Sequence, residues 1–176
     1  MLPFQHPWTV SILKYEGRRL SPHCGGSLIS KKHVLTAAHC VNDIKKGIKK
    51  KEDFLIILGA THPLGTEGKE FQIKEYMQHP NFSSPRSYYD ISIIELEEPL
   101  KEFDFSYFPI CLPKIPNANP NKHRGKPATI TGYGSKTGSS THQLHFAPLT
   151  VLDNESCSKR HFADLETNSE VSNLLR

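Results

Sequence analysis

The sequence predicts an all-β fold, and three observations carry that expectation. Short apolar segments recur along the 176 residues with turn residues between them, the pattern of a sandwich or barrel. Apolar residues make up 36% and charged residues 23%, with Trp, Phe and Tyr all present, a composition too rich in aromatics for a disordered chain. No apolar run approaches the ~20 residues that a membrane-spanning helix needs.

The elements follow in order. Residues 8–13 (Trp-Thr-Val-Ser-Ile-Leu) alternate well enough for a half-buried strand. Residues 25–29 and 33–37 form a second pair of strands around the turn Ser30-Lys31-Lys32. Residues 54–59 are a continuous apolar run ended by Gly59, and 71–77 mix apolar and polar positions before the turn His79-Pro80-Asn81. Residues 91–96 give a sixth strand, closed by Pro99. These six segments fill 8–98 and suffice to close one small barrel. Residues 99–125, rich in proline and asparagine, read as a connector. Strands are then expected over 128–134 and 143–152, with Asp153 or Asn154 capping a short helix through Cys157.

Net charge is +4, unevenly spread. Residues 1–60 hold ten Lys/Arg against four Asp/Glu, 61–110 four against nine, and 111–176 eight against five. The basic excess centres on Lys45, Lys46, Lys49, Lys50 and Lys51. Clustered lysines repel one another and seek water, which makes this a solvated loop. A polyanion contact is the sharper reading, but no aromatic residues interleave the lysines as nucleic-acid binding would ask.

The four cysteines are Cys24, Cys40, Cys111 and Cys157. No CxxC pair exists, so zinc-ribbon spacing is absent. His23-Cys24 and His39-Cys40 together offer a Cys2His2 donor set, but neighbours on an extended chain point to opposite faces, so both places would need irregular backbone. A Cys24–Cys40 disulfide, closing a loop of roughly 16 residues and worth ~3 kcal/mol, is the better account. The first seven residues, Met-Leu-Pro-Phe-Gln-His-Pro, have neither the basic region nor the apolar stretch of a signal peptide.

Singly, the chemistry-bearing residues say little, since ten histidines are present and an aspartate ahead of a strand is usually a turn residue. Context sharpens two of them. In Thr36-Ala37-Ala38-His39-Cys40 a histidine follows small residues that leave its ring room. In Tyr89-Asp90-Ile91-Ser92-Ile93-Ile94 a carboxylate stands at the mouth of an apolar strand. A buried Asp requires a partner, and an imidazole nitrogen is a suitable one.

With Pro7-Trp8-Thr9-Val10-Ser11-Ile12, Cys24-Gly25-Gly26-Ser27-Leu28-Ile29, His79-Pro80-Asn81-Phe82, Cys111-Leu112-Pro113 and Thr131-Gly132-Tyr133-Gly134 in the same order, the chain resembles the trypsin-like (chymotrypsin-type) serine endopeptidases. The resemblance covers nearly the whole chain but not the whole family domain. It implies an all-β, trypsin-like double β-barrel, the first barrel nearly complete over 1–98 and the second incomplete over 126–176. It implies His39 as general base and Asp90 as the carboxylate that orients it. It matches Cys24–Cys40 to the family's disulfide beside the histidine, which points to a secreted, extracellular setting. Protein or peptide substrates are expected, with no cofactor, no nucleic acid and no membrane. Cys111 matches a cysteine that in many members ties the protease domain to an upstream pro-region, and Cys157 one whose partner comes later.

Departures stand beside the matches. No Gly-Asp-Ser-Gly-Gly segment occurs in residues 1–176, nor an Ile-Val-Gly-Gly start. The nucleophile is thus absent from these residues, which are expected to be truncated at both ends relative to the family domain and inactive alone. Tyr133 stands where the family usually has tryptophan. Glu67 and Glu70 resemble part of the calcium loop of trypsin, but calcium wants six to eight oxygens and Ala60 replaces another glutamate; exposed loop charge is the alternative. Two other readings accompany peptide hydrolysis: a non-catalytic homologue acting as a binding or regulatory module, and a short product whose first barrel alone binds a partner.

Overall fold

A computed structural model describes residues 5–47, 49–65, 67–83, 88–113, 122–134, 143–157 and 159, with only the backbone described at 43 and 44. The chain separates into two compact units. One comprises Met1–Leu112 with Thr131–His145, and the other Pro113–Ile130 with Phe146–Arg176.

The first unit is built on seven antiparallel strands: β1 (Thr9–Glu16), β2 (Arg19–Leu28), β3 (His33–Thr36), β4 (Phe54–Leu58), β5 (Lys69–Phe71), β6 (Ile73–Gln78) and β7 (Ser92–Leu96). Their order across the sheet is β5-β4-β1-β2-β3-β7-β6. The two edge strands, β5 and β6, are separated in sequence by Gln72 alone, so both edges belong to one bent stretch of chain. The sheet therefore curls round on itself, which buries one face without a second layer.

Side-chain alternation shows how the curl is filled. In β4, Phe54, Ile56 and Leu58 point into the main core with Val10, Ile12, Leu28, Val34, Ile94 and Leu96. Leu55 and Ile57 point the other way, into a second cluster with Leu13 and Ala60. Burial on both faces is why this segment reads as an unbroken apolar run rather than an alternating one. The main core reaches Leu100, beyond the last strand.

One irregularity matters for the site. The β1–β2 register passes from Ile12↔Cys24 to Leu13↔Pro22, so His23 is the extra residue of a bulge. Pro22 has no N–H to offer a ladder, and such positions are where strands tolerate proline.

Two further strands, β8 (Pro127–Gly132) and β9 (His145–Thr150), form a two-stranded sheet. Asp153 caps the turn of helix over 154–157 through the Ser156 amide, which donates to its Oδ1 at 2.8 Å. Arg124 pairs with the same carboxylate at 3.1 Å. Ile130, Phe146, Leu149 and Leu152 are exposed in this region. Mostly strands, with a curled first sheet and a small second one, the molecule has the fold of an incomplete trypsin-like double barrel.

Candidate active site

Strand register brings the two singled-out residues together. β3 and β7 run antiparallel with Thr36 opposite Ser92. Chain leaving β3 after Thr36 therefore lies beside chain entering β7 before Ser92, although the two are 51 residues apart at His39 and Asp90. Past Thr36 the backbone turns into a short 3₁₀ segment, Ala38–Val41. Ala38, Cys40 and Val41 are buried there, which leaves His39 as the residue turned outward. Gln78, at the end of β6, donates its amide to the Ala38 carbonyl at 2.7 Å and holds the turn in place.

Asp90 accepts two hydrogen bonds from one residue. The His39 ring Nδ1 lies 2.7 Å from Oδ2, and the His39 amide donates to Oδ1 at 2.8 Å. The bidentate grip fixes both position and tilt of the ring. Nδ1 facing a carboxylate carries the proton, so the neutral ring presents an unprotonated Nε2. The His39 side chain is 59% exposed and that of Asp90 23%. Burial resists ionisation of Asp90, yet hydrogen bonds from the His39 ring and amide outweigh it and hold the carboxyl below its ordinary value.

Behind the imidazole lies the Cys24–Cys40 disulfide, with the Cys40 sulfur 3.5 Å and the Cys24 sulfur 4.0 Å from Nε2. Backbone irregularity does occur at both places, a bulge at His23 and the 3₁₀ turn at His39. It brings His23 and Cys24 together onto Cys40, since His23 Nε2 donates to the Cys40 carbonyl at 2.8 Å. Cys24, His39 and Cys40 are the set of three potential metal donors that cluster among the described residues. Both sulfurs are spent in the disulfide and Nδ1 in the bond to Asp90.

The remaining sequence candidates lie elsewhere. Glu67 folds back on its own loop: its Oε1 accepts from the Thr61 amide and hydroxyl, each at 2.8 Å. Burial opposes its ionisation, but hydrogen bonds from its own amide, from the Thr61 amide and hydroxyl and from the His62 amide dominate and lower its pKa to about 2. Glu70 is exposed on β5, opposite Ile57, and no third carboxylate groups with the two among the described residues. Tyr133 is held by its hydroxyl, which donates to the Ala60 carbonyl at 2.8 Å. Cys111 and Cys157 carry free, exposed thiols.

Sequence reasoning missed three supports of the site. Gln78 is one. The others are Tyr89, with a φ of 57°, and His79, on which its ring stacks at 4.6 Å. A left-handed tyrosine is uncommon, and here the turn it makes aims Asp90; the Ile91 amide closes it onto the Tyr89 carbonyl at 2.7 Å. Gly26 gives β3 its close approach, since a Cβ there would lie 2.7 Å from Val34 Cγ1.

The family model Trypsin matches residues 3–172. The chain is 33% identical over 162 residues to the clotting factor G beta subunit of Tachypleus tridentatus, covering 90% of this chain and 50% of that protein. It is 29% identical to CLIP domain-containing serine protease B4 of Anopheles gambiae, covering 88% and 46%. It is 27% identical to melanization protease 1 of Drosophila melanogaster, covering 93% and 44%. The chain spans about half the length of these curated relatives. With its family match running nearly end to end, the chain belongs to the trypsin family of serine proteases.

Proposed function

We propose that residues 1–98 form the barrel carrying the base and orienting carboxylate of a serine endopeptidase. The observation that carries this reading is the two-point hydrogen bonding of Asp90 to His39. With Nδ1 committed to the carboxylate, Nε2 is the unprotonated nitrogen that takes a proton from a serine hydroxyl as that oxygen attacks a peptide carbonyl. The imidazolium so formed is stabilised by Asp90 and returns the proton to the leaving amine. Water then cleaves the acyl-enzyme by the same route.

The attacking serine is contributed from outside residues 1–176, which hold no Gly-Asp-Ser-Gly-Gly. These residues alone do not turn over peptides. A fluorophosphonate probe tests the reading. The 176-residue chain should stay unlabelled, and a longer form bearing that motif should be labelled at its serine, at a rate that collapses on His39→Ala. Stoichiometric labelling of the short chain, or labelling of the longer form indifferent to His39, would refute it. A longer form with the serine replaced would support a non-catalytic homologue instead.

The surroundings support a secreted protein with protein substrates. A disulfide at the site suits an oxidising compartment, and no helix among the described residues is long and apolar enough to cross a membrane. Ile110 and Leu112, 36% and 54% exposed, flank the free thiol of Cys111 in the chain, which suits a pro-region held there by a disulfide.

A further inference from the structure

We infer that the end of the first sheet formed by the β1–β2 turn with Lys45, Lys46, Lys49, Lys50 and Lys51 is a binding surface for a sulfated polysaccharide. Sequence places its basic residues in two groups, Arg18 and Arg19 in the hairpin and five lysines between 45 and 51. The fold joins the hairpin to the second group through Lys49. Lys49 reaches across to donate its ammonium to the Tyr15 carbonyl at 3.1 Å, and Tyr15 pairs with Leu20 just before the hairpin turn. The same lysine segment leads into β4, whose first residue, Phe54, pairs with Lys14 of β1. Lys51 donates to the Lys74 carbonyl, so its charge is anchored without being neutralised.

This end is set apart by the density of its cations, Arg18, Arg19, Lys45, Lys46, Lys49, Lys50 and Lys51. Elsewhere, Lys32 and Lys74 share Glu95, and Lys159 pairs with Glu155. Arg18, Arg19, Lys45, Lys46 and Lys50 are exposed, and none pairs with a carboxylate among the described residues. The nearby acids are fewer than the cations: Asp53, which accepts from the Lys50 amide at 2.8 Å, exposed Glu52 beside Lys51, and Glu16, which faces Arg19 across the hairpin. Five or more solvated cations held on a folded surface cost self-repulsion, which a bound polyanion relieves.

The partner's chemistry follows from what the surface offers. Ammonium and guanidinium groups bind sulfate; Tyr15 is half-buried and main-chain bonded, so no exposed ring among the described residues here invites base stacking. A cavity of about 470 Å³ in this unit is lined by other residues, among them Pro22, Gly25 and Tyr133, whereas the basic residues are spread over an exposed face, which suits an extended chain. This inference does not depend on the catalytic reading.

Immobilised heparin, with the 176-residue chain eluted by salt, tests it. The triple variant Lys45→Gln, Lys46→Gln, Lys50→Gln should bind about tenfold or more weakly and with a shallower salt dependence, as for any site that loses cation contacts. The control Lys101→Gln, Lys122→Gln, Lys126→Gln removes the same charge from exposed positions elsewhere and should change affinity less than about twofold. Desulfated heparin should not compete. Equal losses in both triples, or single-stranded DNA bound as tightly as heparin, would overturn the inference. Thermal melts of both variants matching the parent exclude misfolding as the cause.

Discussion

Thr36 faces Ser92 across β3 and β7, and that pairing decides where His39 and Asp90 stand. Ser92 is buried, and its hydroxyl donates to the Met77 carbonyl at 2.9 Å, so β6, β7 and β3 are locked in sequence. A slip of one residue in this register would turn every side chain of β7 to the wrong face and separate the pair.

The close approach behind that register is open to test at Gly26. A methyl there would press on Val34 Cγ1 at 2.7 Å and the Leu35 carbonyl at 3.0 Å. Gly26→Ala should destabilise the fold by about 1–3 kcal/mol, the usual cost of overpacking, read from urea unfolding. An unchanged midpoint would mean that β2 and β3 are not packed this tightly.

The Cys24–Cys40 disulfide closes a loop of 16 residues. Replacing both cysteines by serine should cost about 3 kcal/mol, measured by denaturant unfolding against the oxidised parent. Because Cys40 adjoins His39, the same variant should also loosen the imidazole.

Asp90 sets an acid limit. Its carboxyl is held below its ordinary value in the fold, so the unfolded chain binds the proton more readily. The resulting stability is complete above the unfolded carboxyl value of about 3.9 and is lost as pH falls through the lower folded value. Asp90→Asn should flatten that part of the acid-unfolding curve, and a curve of unchanged shape would contradict the pairing.

Tyr133 sets an alkaline limit. Burial first, and then the charge of Glu67, raise its pKa to about 12. The fold thus favours the neutral phenol, and its contribution is complete below about 10 and lost as pH rises towards 12. Tyr133→Phe should cost about 1 kcal/mol at neutral pH for the lost bond to Ala60 and remove that alkaline slope, as urea unfolding at a series of pH values will show.

Much of the first barrel was legible because its strands carry apolar alternation or continuous apolar runs; β3, β4 and β7 lie within a residue or so of the expected segments. The N-terminal half of β2 was not. Arg19 to Cys24 includes Pro22 and His23 and is largely exposed or half-buried, so it has no periodicity to read; only pairing with β1 makes it a strand. The 71–77 segment proved to be two short strands bent at Gln72, a bend imposed by closure of the sheet rather than by a turn residue. At the site, His39 and Asp90 stood out through their neighbours, whereas Gln78 and Tyr89 act through geometry that only the fold supplies. Nothing about a tyrosine announces a positive φ.

The account rests on an imidazole whose Nδ1 proton belongs to Asp90. Nitrogen-15 NMR of the His39 side chain, at a pH where the ring is neutral, measures this directly. The account predicts a protonated Nδ1 with a strongly downfield proton and an unprotonated Nε2, both lost in Asp90→Asn. A His39 ring protonated at Nε2, or a spectrum indifferent to Asp90, would contradict it.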